Sequence, residues 1–193
     1  LAELTAGIIA ARTTLAGYSE FVHGWRPRPH QVEWYQALQA LYEGKLTYSA
    51  GAADEEGRAS FPEEGLVELP TTKLMILASP GWGKTDTLCE YTEWVIGKES
   101  EAGRTAQIGY ICYADDVAAK RSMAIRNTIE YNRNYRAVFP RGRPAKGDGW
   151  GVNAWYLERA DPGSKNPALV AAGITGQIQA HRFPTLTNIA DPH

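Results

Sequence analysis

The sequence lacks most features that mark secreted or membrane-bound proteins. Its two cysteines, Cys89 and Cys112, lie in apolar runs with no CxxC spacing, and we interpret them as reduced, buried thiols of an intracellular protein. No apolar run approaches the roughly 18 residues that a membrane span needs. The opening segment from Leu1 to Leu15 has no basic n-region, so neither a signal peptide nor a membrane partner is predicted.

A strong charge of either sign is also missing. The net charge of −2 gives no global attraction to nucleic acid or to an anionic membrane. A DNA partner would need local patches, or a part of the protein beyond this sequence. The 193 residues, 44% hydrophobic and 22% charged, fit one globular domain. Because the chain starts without Met and stops at Asp191-Pro-His193, we expect 1–193 to be a single domain cut from a longer protein.

Two segments precede the part of the chain in which strands and helices are predicted to alternate. Arg28 to Tyr42 has apolar residues at three-residue steps, with prolines before it and Gly44 after it, which predicts an amphipathic helix. The stretch from Tyr48 to Pro70 contains the low-complexity run Ser-Ala-Gly-Ala-Ala-Asp-Glu-Glu-Gly. We predict an exposed insertion over 48–70, because too little chain lies upstream to form a core alone.

Strands and helices then alternate. Gly97 is a helix stop signal, and Asp115 is a candidate N-cap. The order strand, loop, helix, strand, helix predicts an α/β domain with a mostly parallel sheet flanked by helices. The predicted elements are a buried strand from Lys73 to Ala78, a helix from Lys84 to Ile96, a strand from Gln107 to Tyr113 and a helix from Asp116 to about Tyr131.

The last third carries a basic loop and further apolar runs. Within Phe139 to Gly151, the residues Arg141, Arg143 and Lys146 are candidates for contacts with DNA phosphates, or belong to a loop that is merely solvated. Trp150 to Leu157 is a candidate strand.

The strongest signal is the segment Ala78-Ser-Pro-Gly-Trp-Gly-Lys-Thr85 between a predicted strand and a predicted helix. Glycines let backbone amides converge on phosphate oxygens, and the helix N-terminus attracts the same anion. Lys84 would reach the β- and γ-phosphates of ATP, and the Thr85 hydroxyl would ligate Mg²⁺. Ala78 stands where the strict pattern has glycine, and the alternative is a Gly-Pro turn that happens to carry Lys-Thr. The predicted nucleotide-binding set is Ser79, Pro80, Gly81, Trp82, Gly83, Lys84, Thr85 and Asp86.

A magnesium site on a nucleotide also needs an acidic group at the tip of another strand. Asp191, after the apolar run from Leu186 to Ala190, is the best-placed candidate to hold Mg²⁺ through water. Its alternative role is to open an Asp-Pro turn. The pair Asp115-Asp116 also follows a strand, but a helix cap with a dipole-favoured acid in the first turn explains it better.

Together these residues resemble the ATPase domain of the large terminase of tailed phages, a P-loop NTPase of the ASCE or RecA-like type. Beyond the phosphate loop, four segments are similar to the family: the His30-Gln31 helix, Tyr110 to Arg126, Val138-Phe-Pro140 followed by Trp150, and Ala172 to Ile178 followed by Ile189-Ala-Asp-Pro192. Ala190 departs from the family, which usually has the first of two acids there. The departure leaves three alternatives open: the assignment of Asp191 is off by one register, hydrolysis is weakened, or the acid is supplied from elsewhere.

The resemblance implies a motor that hydrolyses ATP to translocate double-stranded DNA into a viral capsid, in the host cytoplasm. It implies a portal protein, a small terminase subunit and a homo-oligomeric ring as partners, with any nuclease outside this chain. Lys84 and Asp191 would be catalytic, together with an arginine, for which Arg126 and Arg121 are candidates; the alternative for both arginines is a solvated helix face. Gln31 would read adenine or would be an ordinary surface residue.

Two other functions fit the same loop. A superfamily-two helicase or related DNA-dependent ATPase shares the chemistry, but its DExH acidic quartet is absent after the loop. A non-motor P-loop protein, such as a nucleotide kinase or a binding-only relic, stays open because the second acid is missing at Ala190.

Overall fold

A four-stranded sheet organises the chain. The strand order is β4–β5–β3–β6, in which β5, β3 and β6 run parallel and β4 pairs antiparallel with β5 at one edge. Tyr110 at the middle of β3 faces Ala171 on one neighbour and Asn188 on the other. The prediction of an α/β domain with a mostly parallel sheet is confirmed. The strands are β3 (Ile108–Cys112), β4 (Ala154–Trp155), β5 (Leu169–Gly173) and β6 (Leu186–Ile189).

The computed structural model describes residues 2–50, 67–145, 150–158, 166–174 and 183–190. Three predicted parts lie outside these residues: Lys146, positions 175–178 of the segment from Ala172 to Ile178, and Asp191. The proposals that rest on them therefore stay predictions from the sequence.

Helices flank the sheet. The longest, α4, covers β3 and β6, because Cys89 Sγ lies 3.7 Å from the Tyr110 hydroxyl and the Asn188 amide donates to Thr92 Oγ1 at 2.7 Å. Both cysteines are free thiols, as predicted. The helices are α1 (Ala2–Thr13), α2 (Leu15–Tyr18), a π-helical turn (Ser19–His23), α3 (Pro29–Tyr42), α4 (Lys84–Glu101), α5 (Asp115–Tyr131) and α6 (Arg133–Val138).

The N-terminal helices form a layer that the sequence did not predict. They pack onto α4: Trp94, fully buried, donates its indole N–H to the carbonyl of Ala11 at 3.1 Å. The predicted helix over 28–42 is confirmed as α3. Among the described residues, no helix is long and apolar enough to cross a bilayer.

The prediction that Gly97 ends the helix is wrong. Helix α4 continues through it to Glu101, and the left-handed residue that follows the helix is Gly103, with φ of 73°. A Cβ on Gly97 would collide with the ring of Phe139. Gly97 is therefore a packing residue that lets an aromatic ring lie directly on the helix backbone.

The prediction of Asp115 as a side-chain N-cap is also wrong. Helix α5 starts at Asp115 itself, with Ala114 in the cap position and no side-chain cap bond. The Asp115 carboxylate instead accepts from the backbone N–H of Gly173 at 2.6 Å. This bond joins α5 to the carboxyl end of β5.

The largest correction concerns Lys73 to Ala78. This segment is not a strand, and it pairs with no strand among the described residues. Leu74 and Ile76 are half-buried against the core, whereas Met75 is 80% and Leu77 84% exposed. An all-apolar run predicts burial on both faces; here one face packs, and no element of the described residues covers the other.

The remaining elements are partly as predicted. The ends of the predicted insertion form an antiparallel pair, β1 (Thr47–Ala50) with β2 (Val67–Pro70), and 51–66 lie outside the described residues. The candidate strand from Trp150 to Leu157 shortens to β4, flanked by isolated bridges.

Candidate functional site: the phosphate loop and helix α3

The glycine-rich loop turns sharply into α4. Gly81 and Gly83 have φ of 80° and 84°, in the left-handed region that glycine adopts at little cost. Gly83 is the N-cap of α4, which starts at Lys84. The first-turn amides of an 18-residue helix therefore emerge directly from the loop, where unpaired N–H groups and the helix dipole favour an anion.

Lys84 folds over this loop. Its ammonium donates to the carbonyl of Ala78 at 2.6 Å and to that of Ser79 at 3.1 Å. An ammonium has three N–H donors, so two of them hold the start of the loop in place. The charge therefore lies beside the carbonyls of the two residues that open the loop.

Helix α3 packs beside the loop, although about fifty residues separate them in sequence. A Cβ on Gly83 would come within 2.7 Å of Gln31 Nε2. Gln31 Oε1 accepts from the backbone N–H of Arg28 at 3.0 Å, which makes Gln31 part of the helix capping box. The structure places Gln31 next to the loop, but its adenine contact stays a prediction.

An aromatic cluster borders the same loop. The rings of His30 and Trp82 are 4.7 Å apart, and His30 also contacts Trp34 edge-on at 5.0 Å. His30 Nε2 lies 3.3 Å from the carbonyl of Trp82, so the α3 terminus is tied to the loop backbone. Trp34 lies one helical turn after His30 on α3, and this spacing is the sequence signal for their contact.

Among the described residues, no group of three or more His, Cys, Asp or Glu side chains could hold a metal ion alone. Magnesium on a nucleotide needs few protein ligands, because phosphates and water supply the others. Thr85 at the start of α4 fits one such ligand position, and exposed Asp86 follows it. The second predicted ligand, Asp191, lies outside the described residues.

The predicted catalytic arginine is held elsewhere. Arg126 Nη1 donates to the carbonyls of Trp150 at 3.1 Å and Gly151 at 2.9 Å, and its guanidinium lies 5.6 Å from the centre of the Trp150 ring. These contacts favour a structural role, in which Arg126 joins α5 to the turn before β4. The other candidate, Arg121, is half-buried on α5.

Glu90 and Glu93, two of the three buried acids of α4, lie beyond the loop, and sequence reasoning missed both. Glu93 accepts from the Tyr18 hydroxyl at 2.9 Å and bonds His23 Nε2 at 2.8 Å. Glu90 accepts from the Tyr35 hydroxyl. Each carboxylate is only 2% exposed. Their spacing of three places them on one helix face, which was the available signal.

The contacts of these two carboxylates shift the pKa values of Glu90 and His23. Burial raises the pKa of Glu90, against the hydrogen bond from Tyr35. Burial lowers the pKa of His23, but its hydrogen bond to Glu93 and the charges of Glu93 and Glu90 outweigh that effect and raise it. The N-terminal layer is therefore bound to the helix behind the phosphate loop through a charged and hydrogen-bonded contact.

No family model, no curated protein and no solved structure matches this chain. The similarity to terminases therefore rests on the motifs quoted above.

Proposed function

We propose that this chain binds ATP at the loop from Ala78 to Thr85 and hydrolyses it to drive the translocation of double-stranded viral DNA into a capsid. The observation that carries the proposal is the junction at Gly83. There a left-handed glycine opens an 18-residue helix while the next residue, Lys84, folds its ammonium over the loop.

The chemistry assigned to the chain is mainly positioning and charge stabilisation. The loop amides and the N-terminus of α4 would hold phosphate oxygens, and Lys84 would exchange its bonds to carbonyls for bonds to phosphate. Thr85 and Asp191 would hold Mg²⁺, which when bound neutralises charge on the β- and γ-phosphates. An acid that orients the attacking water completes the proposed mechanism.

The aromatic cluster and Gln31 extend the proposal to the base. His30, Trp34 and Trp82 lie beside the loop, where flat rings suit the faces of a purine. The step from ATPase to DNA motor rests on the terminase resemblance.

Lys84→Ala tests the nucleotide site. Isothermal titration with ATP and Mg²⁺ should show an affinity loss of at least about tenfold, because a charge-assisted hydrogen bond contributes about 1.5–3 kcal/mol. Lys120→Ala, which removes another exposed lysine, should bind as the unchanged protein does. Unchanged affinity in Lys84→Ala would show that the loop is not the nucleotide site.

Phosphate release with and without linear duplex DNA tests the motor. Duplex-stimulated release supports a DNA-dependent ATPase. Binding without release favours the non-motor alternative, in which the missing acid at Ala190 has abolished turnover. Asp191→Asn should keep binding and lose turnover; unchanged turnover would point to another magnesium ligand.

A further inference from the structure

A groove rich in arginine lies at the end of α4 opposite the phosphate loop. It consists of two adjoining cavities of about 390 and 550 Å³, which share Pro140, Arg143 and Glu158. Arg104 and Arg141 line the first cavity, and Arg136 lines the second. We call these surfaces together the arginine groove.

The backbone around the groove is fixed by contacts with the end of α4. The backbone N–H of Arg141 donates to Glu101 Oε1 and its Nη1 donates to the Glu101 carbonyl, both at 2.9 Å. Arg143 Nε donates to the carbonyl of Pro140 at 2.8 Å. The segment from Pro140 to Arg143 is thereby anchored to α4, so the guanidinium groups of Arg141 and Arg143 project from a defined position.

The lining of the groove carries more positive than negative charge, with four arginines against Glu130 and Glu158. Two further carboxylates, Glu99 and Glu101, bond Arg104 and the backbone of Arg141 from outside the lining. The first cavity is lined by three arginines, Arg104, Arg141 and Arg143, and by one carboxylate, Glu158. All three arginines are exposed. Arg104 is paired with Glu99 at 2.7 Å, but the bonds described for Arg141 and Arg143 each engage only part of a guanidinium that has five N–H donors. The remaining donors suit a phosphodiester oxygen, which guanidinium binds in fork geometry.

The groove is separate from the nucleotide site. Helix α4 has 18 residues, so its two ends are about 27 Å apart at 1.5 Å per residue. A chain with a net charge of −2 has no global attraction to DNA and needs a local basic surface.

We propose that the arginine groove binds the backbone phosphates of duplex DNA. This inference rests on the proposed function: we choose duplex DNA as the occupant because the chain is proposed to be a DNA motor. Binding is sequence-independent, since guanidinium contacts to phosphate position a duplex without reading its bases. The carboxylates of Glu158 and Glu130 border the groove and repel phosphates, which restricts the path of the strand.

The double variant Arg141→Gln/Arg143→Gln tests the groove. Duplex affinity should fall, and the slope of log K against log salt should become shallower by about two, because each lost phosphate contact removes about 0.9. The matched control is Arg26→Gln/Arg133→Gln, which removes two exposed arginines outside the groove. ATP affinity should stay unchanged in both variants. A slope and affinity equal to those of the control overturn the proposal.

A second measurement needs no variant. Phenylglyoxal modification of the unchanged protein, followed by peptide mapping, should show duplex protection of Arg141 and Arg143 but not of Arg133. Equal modification with and without duplex overturns the proposal, as does a protein that binds ATP but no duplex. Duplex protection in a protein that fails to bind ATP overturns the proposed function while leaving the groove as a DNA site.

Discussion

The ring of Phe139 lies directly on the backbone of α4 at Gly97, at a point where a Cβ would collide with it. Replacing glycine by alanine inside a helix normally stabilises it by about 1 kcal/mol. At Gly97 the sign should reverse, because overpacking costs about 1–3 kcal/mol. Urea unfolding of Gly97→Ala measures the difference in the free energy of unfolding.

The ring itself supplies the control. Phe139→Ala deletes the three ring atoms that a Cβ at Gly97 would meet, so Gly97→Ala should be less destabilising in that background than alone. Stabilisation by Gly97→Ala in the otherwise unchanged protein would contradict the packing of this ring.

The two loop glycines should respond differently to alanine. Both have φ near 80°, so each Gly→Ala change costs roughly 1–2 kcal/mol of strain. A Cβ at Gly81 meets nothing within 4 Å, whereas one at Gly83 approaches Gln31 Nε2 at 2.7 Å. We expect Gly83→Ala to be the more destabilising in thermal unfolding.

Adding Gln31→Ala separates the two causes. It should partly rescue Gly83→Ala and leave the cost of Gly81→Ala unchanged. Equal effects of Gln31→Ala on both glycine variants would show that Gln31 does not pack against Gly83.

The contact between His23 and Glu93 should make stability depend on pH. Because the folded pKa of His23 lies above its ordinary value of 6.5, the folded state binds the proton more tightly than the unfolded chain does. The stabilisation is therefore complete below about pH 6.5 and is lost as the pH rises through the folded pKa. Urea unfolding across this window should show the decline.

His23→Gln isolates this effect, since glutamine keeps a hydrogen-bond donor but cannot take the proton. The difference in unfolding free energy between the two proteins should shrink as the pH rises. Burial of Glu90 also favours low pH, and the two groups are coupled, since the charge of His23 lowers the pKa of Glu90. The comparison is therefore repeated with Glu90→Gln in both proteins. A difference that stays constant with pH would exclude His23 as its source.

The segment from Lys73 to Ala78 should exchange its amide hydrogens faster than β3 does. It pairs with no strand among the described residues, whereas β3 lies between two strands. Hydrogen exchange measured by mass spectrometry compares peptides of the two segments. Equal protection would show that the segment has a strand partner.

Features set by neighbouring residues were predictable from the sequence. Gly81, Gly83 and Lys84 were identified as one bend because left-handed glycines and a helix start are local properties. The same holds for α3, whose apolar spacing and prolines are local signals, and for β3, whose apolar run is short and buried. The parallel sheet followed from the alternation of such elements.

Tertiary structure alone decided the rest. The uses of Gly97, Asp115 and Arg126 depend on Phe139, Gly173 and Trp150, and the buried acids of α4 depend on tyrosines from α2 and α3. The exposure of Met75 and Leu77 depends on the absence of a covering strand among the described residues. The spacing of residues along a chain specifies the periodicity and local bends of a segment. Packing depends on contacts between segments that are distant in sequence, and the pattern of a single sequence does not show which segments come into contact.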